Sequence, residues 1–284
     1  MSYDATHAGR LKDVKTLGKT INDTVNASNA GAHNAIDRGK NLGSTLTDAL
    51  SSAIRAGRFA GTYDGVYADI YPGDYLSFSN VAYTYLDEND VQQSDTYTGI
   101  MRAADMDYFY KCGDSGDGLS SHHVVFVPDE PMFNAPMNDT ATTEGGYVNS
   151  KMRTVYLRRA EAIFKACFGE DHVRNHREYL VNAVTNGKSS GSAWFSSYVE
   201  LMDERMIYGS LIFESGEAHG KNSLSCKQFN LFRHRPDLIA NRQYFWLRNI
   251  VSPTNFSRVQ AGGYSDSVSA NNAGQGVRPY ALIY

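Results

Sequence analysis

The C-terminal part of the chain carries two apolar segments, YFWLRNIVS at 244–252 and GVRPYALIY at 276–284. Both are rich in aromatic and aliphatic residues, a composition typical of β-strands. The residues between them are mainly Ser, Asn, Gly and Ala with single aromatics. This pattern predicts two strands side by side in one sheet that hold a long polar loop on a rigid scaffold. Such a loop is either a binding surface or a surface loop without a partner.

The loop, called here the 252–275 segment, has the composition of an adaptable binding surface. Tyr, Ser, Gly and Asn combine amphipathic anchors with polar groups that hydrogen-bond in several geometries. Nine of its residues are predicted to face a ligand: Asn255, Phe256, Arg258, Gln260, Tyr264, Asp266, Ser267, Asn271 and Asn272. The flanking Arg248 and Arg278 are predicted to be structural, paired with buried carboxylates or carbonyls.

The composition of the whole chain excludes several classes of function. With 284 residues, a net charge of −4 and a pI of about 6.1, the chain has no large positive field for nucleic acid. It has no apolar run of bilayer length and no signal-peptide core at its start. Cys112, Cys167 and Cys226 match neither a disulfide set nor a zinc pattern. We therefore expect folding in a cytoplasm with reduced thiols, and no contact with membrane or nucleic acid.

Residues 1–58 predict a helical segment with one narrow apolar stripe. The stripe residues are spaced by three and four in the first half of the segment and by four in the second: Leu11, Val14, Leu17, Ile21 and Val25, then Leu42, Leu46, Leu50 and Ile54. The stretch 17–25 recurs at 42–50 as L-G-x-T-[I/L]-x-D-x-[V/L], and Thr20 and Thr45 are candidate helix caps in the two copies. The segment is either one continuous helix or a hairpin broken near 39–43.

So narrow a stripe cannot fold alone, because an isolated helix is marginally stable without packing of its apolar face. Self-association into a bundle, docking on another protein, and packing onto the chain's own domain all satisfy this requirement. The first two make residues 1–58 an assembly segment.

Residues 59–284 predict an α+β domain, with helices grouped in the middle and strands dominant at the end. The predicted strands are 66–85, with a turn at 72–74, then 97–104, 105–111 and 124–128. The predicted helices are 150–168 and 177–184, and Gly169 is the expected end of the first. The stretch 199–206 is ambiguous, and strands and loops are predicted from 207 onward.

Two short motifs match sequence patterns that surround a catalytic serine, but the flanking sequence does not fit those enzymes. GKSSG at 187–191 fits G-x-S-x-G, but a predicted helix precedes it where a hydrolase requires a strand. GDSG at 113–116 matches the motif of trypsin-like proteases, which need a base histidine in an upstream β-barrel. Only His7 and His33 lie upstream here, and both are in the helical segment. Neither motif predicts an enzyme.

Two sets of residues have metal-binding chemistry without metal-site spacing. One set contains the histidines His122, His123, His172 and His176. A zinc-protease helix has glutamate directly after its first histidine, but Val173 follows His172. The other set contains acidic residues at 87–95 and 114–117, which lack the alternating oxygen spacing of a calcium loop. We therefore predict no metal and no cofactor.

The order of several motifs adds a resemblance to a known family. F-W-L-R-x-x-V-S, then a Gly/Ser/Asn/Tyr-rich stretch, then G-V-R-P resembles the ending of a C-type-lectin-like domain in structural proteins of tailed bacteriophages, mostly phages of Gram-positive hosts. Upstream, the likeness runs through HHVV at 122–125, MNDT at 137–140, TEGGY at 143–147, SKM at 150–152, HREYL at 176–180, VELM at 199–202, MIYG at 206–209 and NRQ at 241–243. It covers residues 60–284.

This resemblance implies a non-enzymatic virion protein with a C-type-lectin-like domain at 59–284 and an N-terminal helical segment at 1–58. The implied roles are head fibre, capsid decoration or tail-associated adhesin, with host attachment through cell-wall carbohydrate. Other virion proteins are the expected partners of residues 1–58. A homo-oligomer is also expected, with three copies for a fibre, because several weak sites on one particle bind with high avidity. The alternative is a purely structural capsid or tail component whose loops contact neighbouring subunits.

Overall fold

A computed structural model describes residues 3–114, 116, 118–213 and 227–284, and for residues 3–10 it describes the backbone alone. The helices in this part of the chain are α1 (Tyr3–Asn34), α2 (Asp48–Arg55), a π-helical turn (Met152–Tyr156), α3 (Leu157–Phe168), α4 (Glu204–Tyr208) and α5 (Asn230–His234). Short 3₁₀ turns lie at Glu170–His172 and Pro236–Leu238.

The strands form two larger sheets and two hairpins. They are β1 (Ala60–Tyr63), β2 (Val66–Asp69), β3 (Tyr75–Leu86), β4 (Gln92–Met106), β5 (Val124–Pro128), β6 (Phe133–Asn134), β7 (Val173–Arg174), β8 (His176–Thr185), β9 (Lys188–Ser197), β10 (Val199–Leu201), β11 (Phe245–Ile250), β12 (Asn255–Val259), β13 (Ser265–Ser269), β14 (Gly276–Val277) and β15 (Pro279–Ile283). The six-stranded sheet has the order β10-β15-β5-β4-β3, with β7 also paired to β15. The five-stranded sheet has the order β13-β12-β11-β14-β6, and β1–β2 and β8–β9 are separate hairpins. The chain is therefore mixed α+β with an N-terminal helix, as predicted.

The central strands are buried on both faces because two apolar cores lie on opposite sides of the sheets. In β5, Val124 and Phe126 pack into one core, while Val125 and Val127 pack into the other. Successive side chains of a strand point to opposite faces, so a strand between two cores reads as a continuous apolar run. This explains why the short strand predicted at 124–128 is found with all five residues buried.

The prediction that the two C-terminal apolar segments lie side by side in one sheet holds only where the second segment begins, at β14. β11 belongs to the five-stranded sheet and β15 to the six-stranded sheet. Only Gly276 of β14 reaches Phe245 of β11, in a parallel pairing. The chain crosses between the sheets at Arg278, which is fully buried and donates to the carbonyls of Pro128 and Leu238 at 2.8 and 3.1 Å. This confirms the structural role predicted for Arg278.

The predicted helix at 150–168 is confirmed, whereas the predicted helix at 177–184 is wrong. The first is the π-helical turn followed by α3, which ends at Gly169 with a φ of 94°. The second is strand β8, which forms a hairpin with β9 through the turn at Asn186 and Gly187. Both turn residues have positive φ, as a two-residue hairpin turn requires. The turn at Asn186 and Gly187 favours a hairpin, and this preference prevails over the helical spacing of the apolar residues at 177–184.

Two smaller predictions differ from the structure, and the structure resolves one stretch that the sequence left ambiguous. The strand expected at 105–111 is a series of turns after β4 ends at Met106. The ambiguous stretch 199–206 divides into β10 and the start of α4, which the side chain of Asp203 caps. Helix α5 occurs where only strands and loops were expected.

The N-terminal segment breaks after α1, and its two repeat copies have different environments. Leu50 and Ile54, in the second copy and just beyond it, are buried in α2 and pack into the first core. Thr47, and not Thr45, caps α2 by accepting from the backbone N–H of Leu50. The other candidate cap, Thr20, lies inside α1. Packing onto the chain's own domain therefore holds for the second copy, and the packing of α2 crosses the boundary predicted at residue 58.

Two glycines in matched turns allow a test of how β8–β9 packs. Gly65 and Gly187 both have φ near +75°, but an added Cβ has open space at Gly65 and would lie 2.2 Å from Pro253 Cδ at Gly187. We expect Gly65→Ala to lower the free energy of unfolding by about 1 kcal/mol from backbone strain alone. Gly187→Ala should cost about 2 kcal/mol more, because the methyl group must displace Pro253. Urea unfolding of both variants measures the difference, and equal losses would contradict the packing of the β8–β9 turn on the 252–275 segment.

Candidate functional site

The 252–275 segment is a β-hairpin extension of the five-stranded sheet and not an irregular loop. Strands β12 and β13 pair in antiparallel register from Asn255 opposite Ser269 to Val259 opposite Ser265. The backbone groups of this hairpin are therefore largely satisfied by each other, and its side chains alternate between two faces.

Phe256 does not face a ligand, so its prediction as a binding residue is wrong. Its side chain is fully buried and packs in the first core together with Trp246 and Ile250. The reason is the alternation of β12, which directs this residue inward.

Several predicted binding residues come together, but they bind one another. Arg258 donates from Nε and Nη2 to Asp266 Oδ2 at 3.1 and 2.7 Å, and Gln260 donates to the same oxygen at 2.8 Å. The guanidinium group of Arg258 also lies 4.6 Å from the ring centre of Tyr244 and donates to Gln275. Hydrogen bonds from Gln260 and Arg258 lower the pKa of Asp266. This cluster stabilises the hairpin and leaves few of these groups for a ligand.

The remaining predicted residues divide by exposure. Asn255 and Ser267 are half-buried and contact each other at 3.5 Å, while Asn272 accepts from the backbone N–H of Gly274. Tyr264 is 64% exposed, and Asn271 is exposed while accepting a hydrogen bond from Ser269. Tyr264 and Asn271 are therefore the predicted residues most accessible from solvent.

The four histidines considered for a metal site have separate hydrogen-bonding roles. His122 lies between Asn26 and Asp107, and His172 bonds the backbone oxygen of Tyr284 at 2.7 Å. His176 bonds Glu178 at 2.7 Å. In the described ranges, no three His, Cys, Asp or Glu side chains converge on a point that could hold a metal ion.

Arg248 is structural, as predicted, and belongs to a buried polar network. It donates to Glu178 Oε2 at 2.5 Å, and Glu178 also accepts hydrogen bonds from His176 and Tyr280. Burial opposes ionisation of Glu178, but the adjacent Arg248 outweighs it and lowers the pKa of this carboxyl to about 2. The network ties β8 to β11 and β15, and Glu178, His176 and Tyr280 are buried.

Within the described residues, the two nucleophile-like motifs have structural roles. Ser189 of GKSSG is buried in β9 opposite Val184. In GDSG, Asp114 pairs with Arg177 at 2.6 Å, and Ser115 lies outside the described residues, as do Asp117 and Cys226. The other two cysteines, Cys112 and Cys167, are buried.

The acidic residues at 87–95 are held by cations on the facing helix. Lys151 pairs with Glu88 at 2.6 Å, Arg158 with Asp90 at 2.6 Å and Arg159 with Asp95 at 2.7 Å. These pairs fix the β3–β4 turn over the π-helical turn and α3, so they account for the acidic cluster without a metal ion.

A cleft that was not predicted opens beside this turn. Its volume is about 380 Å³, within the range of small-molecule sites. Its walls are the β3–β4 turn, β6, the π-helical turn and Ala273 of the 252–275 segment; the residues that characterise it are Tyr85, Glu88, Phe133, Asn134, Tyr156 and Arg159. These residues come from distant parts of the sequence, so no local motif marks the cleft.

No family model, no curated protein and no solved structure matches the chain. Within the described residues, no helix is long and apolar enough to cross a membrane. The candidate sites therefore depend on their own geometry.

The buried ring of His123 gives a test of the polar packing around β5. Its Nε2 accepts from the backbone N–H of Phe109 at 3.1 Å, and its Nδ1 lies 3.1 Å from the carbonyl oxygen of Ser121. Only the neutral ring protonated at Nδ1 satisfies both contacts. Burial lowers the pKa of His123 to about 4.

We expect His123 to titrate near pH 4 in a histidine-resolved NMR titration, well below the ordinary value of about 6.5. Because the folded pKa is depressed, the stabilisation is complete above pH ~6.5 and falls as the pH drops towards 4. His123→Gln, whose side-chain oxygen can accept from Phe109, should flatten this pH dependence in urea unfolding. A midpoint near 6.5 for His123 would contradict its burial as a neutral ring.

Proposed function

We propose that this chain is a non-enzymatic surface protein of a bacteriophage virion, assembled through α1 and displaying the α+β domain outward. One observation carries the proposal. The long helix α1 contacts its own domain through a polar face and presents its apolar stripe to solvent. The resemblance in the sequence supplies the viral setting.

The apolar stripe of α1 is exposed along about four helical turns. Its five residues are between 50% and 67% exposed: Leu11, Val14, Leu17, Ile21 and Val25. Isolated exposed apolar residues are ordinary, but a continuous row of large aliphatic side chains marks an interaction surface.

The opposite face of α1 holds it on the domain through polar contacts. Asp23 pairs with Lys111 at 3.1 Å, Asn26 bonds His122 at 3.1 Å, and Asn34 donates to the carbonyl of Met106 at 3.0 Å. Ala30, which is 6% exposed, lies sixteen residues after Val14. At about 100° per residue these two residues are about 160° apart around the helix axis. The stripe therefore points away from the domain that α1 rests on.

A second copy of the same helix is the partner that this stripe fits best. Val14, Leu17 and Ile21 are spaced by three and four, and Val25 follows Val14 by eleven residues. These spacings of three, four and four add up to eleven residues, about three helical turns, so the four side chains lie on one face against which an identical helix can pack. We propose a homo-oligomer of three copies, with other virion proteins attached through residues 1–58.

The displayed domain is then the outward part of a head fibre, a capsid decoration or a tail-associated adhesin. Host cell-wall carbohydrate is the proposed target of the displayed domain. The alternative, a structural component whose loops contact neighbouring subunits, is favoured by the self-paired cluster around Arg258 and Asp266. Labelling of intact particles from the lysed host with an antibody against the domain separates a surface protein from a buried one.

We expect a double variant, Val14→Asp with Ile21→Asp, to convert the assembled chain into monomers, because two buried carboxylates would replace apolar contacts at each helix interface. Analytical ultracentrifugation measures the mass. Both positions are exposed in the single chain, so the fold of the domain should be unaffected.

Val66→Asp is the matched control, because Val66 is also an exposed valine, at 58%, but lies on the β1–β2 hairpin. The control should keep the oligomeric mass of the unmodified chain. A monomeric unmodified chain, or a mass that the double variant does not change, would contradict assembly through α1.

A further inference from the structure

We propose that the cleft between the β3–β4 turn, the π-helical turn and β6 is a binding site for a neutral saccharide. This inference narrows the ligand of the displayed domain to a neutral sugar and places its site in the cleft, away from the 252–275 hairpin. It depends on the proposed function only for the biological source of the sugar, since binding itself does not require assembly through α1.

Aromatic side chains form the walls of the cleft. Tyr85, Phe133 and Tyr156 are each half-buried, so part of every ring is open to the cleft. Arg159 lies between two of them, with its guanidinium carbon 5.1 Å from the ring centre of Tyr85 and 4.7 Å from that of Phe133. This stacked arrangement holds the rings in place without a ligand, so the cleft is pre-organised.

The π-helical turn is an independent indication of a site. Residues 152–156 are wound more widely than the α-helix that follows them, and Val155 and Tyr156 of this turn line the cleft. A π-helix is less favourable than an α-helix and occurs frequently at functional sites. Here it places the ring of Tyr156 beside the β3–β4 turn, with its hydroxyl 3.5 Å from Glu88.

Charges around the cleft are paired, which favours a neutral ligand. Glu88 is paired with Lys151, and Arg159 is paired with Asp95. The oxygens of Asp87 accept from Gln93 and from the backbone N–H groups of Asn89 and Val91. A charged ligand would have to compete with these pairs, whereas a neutral ligand does not.

Several polar groups at the cleft nevertheless have no partner. Lys151 and Tyr156 contact Glu88 through Oε2, whereas within the described residues no protein group bonds Glu88 Oε1 or the side-chain amides of Asn89 and Asn134, which are exposed to solvent. A carboxylate oxygen accepts, and an amide both donates and accepts. Hydroxyl groups of a sugar both donate and accept, so they match this set.

The combination identifies the class of ligand. A sugar ring has an apolar C–H face that packs on an aromatic ring and a rim of hydroxyls that pairs with carboxylate and amide groups. The cleft is open on one side and holds about 380 Å³, which is enough for one or two sugar rings. A proline-rich peptide also packs on aromatic side chains, and it serves as the competing ligand in the test.

The test is saturation-transfer NMR of the full chain with separate samples of glucose, galactose, rhamnose, N-acetylglucosamine and a proline-rich peptide. We expect at least one sugar to receive saturation and to titrate with a Kd in the millimolar range. Asn134→Ala and Tyr156→Ala should each weaken that binding at least fivefold. Asn134 is exposed, so its substitution tests binding without a cost in folding.

Matched controls lie on the 252–275 hairpin. Asn271→Ala and Tyr264→Ala make the same chemical changes at exposed positions outside the cleft, and each should change the Kd by less than twofold. The inference is overturned if no sugar in the panel receives saturation, if only the peptide binds, or if the hairpin variants weaken binding and the cleft variants do not. The double variant at Val14 and Ile21 should still bind sugar, so failure of assembly and failure of binding are distinguishable.

Discussion

Two carboxylates at the end of β4, Asp105 and Asp107, fix how the N-terminal helix lies on the domain. Asp105 is fully buried and accepts from Asn34 of α1 and from Asn230 of α5. Asp107 bonds the ring of His122 at 2.7 Å, and the other nitrogen of that ring bonds Asn26. Buried polar groups of this kind require their partners, so these contacts fix the rotation of α1 about its own axis. The exposure of the apolar stripe follows from that rotation.

The fixed rotation of α1 gives the two halves of the N-terminal segment different environments. Leu46 packs against the first core and Leu50 is buried in it, whereas Ile21 and Val25, which occupy the equivalent positions of the first copy, are 55% and 50% exposed. Their sequences are too alike to predict this difference. The difference arises because the domain presents hydrogen-bonding groups to α1. The polar residues of α1 therefore face the domain, and the apolar stripe faces solvent. One copy of the repeat stabilises the fold, and the apolar residues of the other remain exposed.

Much of the local structure was predictable, but the arrangement of the sheets was not. The strand at 124–128 and the end of α3 at Gly169 depend on residues that are adjacent in the sequence, so both are predictable from it. The composition of the 252–275 segment predicts that Phe256 faces a ligand, yet the alternation of β12 directs its side chain into the core. The cleft is beyond local prediction, because Tyr85, Phe133 and Tyr156 meet only after the β3–β4 turn has docked on α3. No local signal indicates that β11 and β15 lie in different sheets.

The orientation of α1 is tested most directly by photo-crosslinking from position 21. A benzophenone side chain placed there, at an exposed site on the stripe, should crosslink one chain to α1 of another, and mass spectrometry of the product should locate both ends within the helix. Crosslinks from position 21 to residues 105–123 of the same chain would contradict the structure, because they would place the apolar stripe against its own domain.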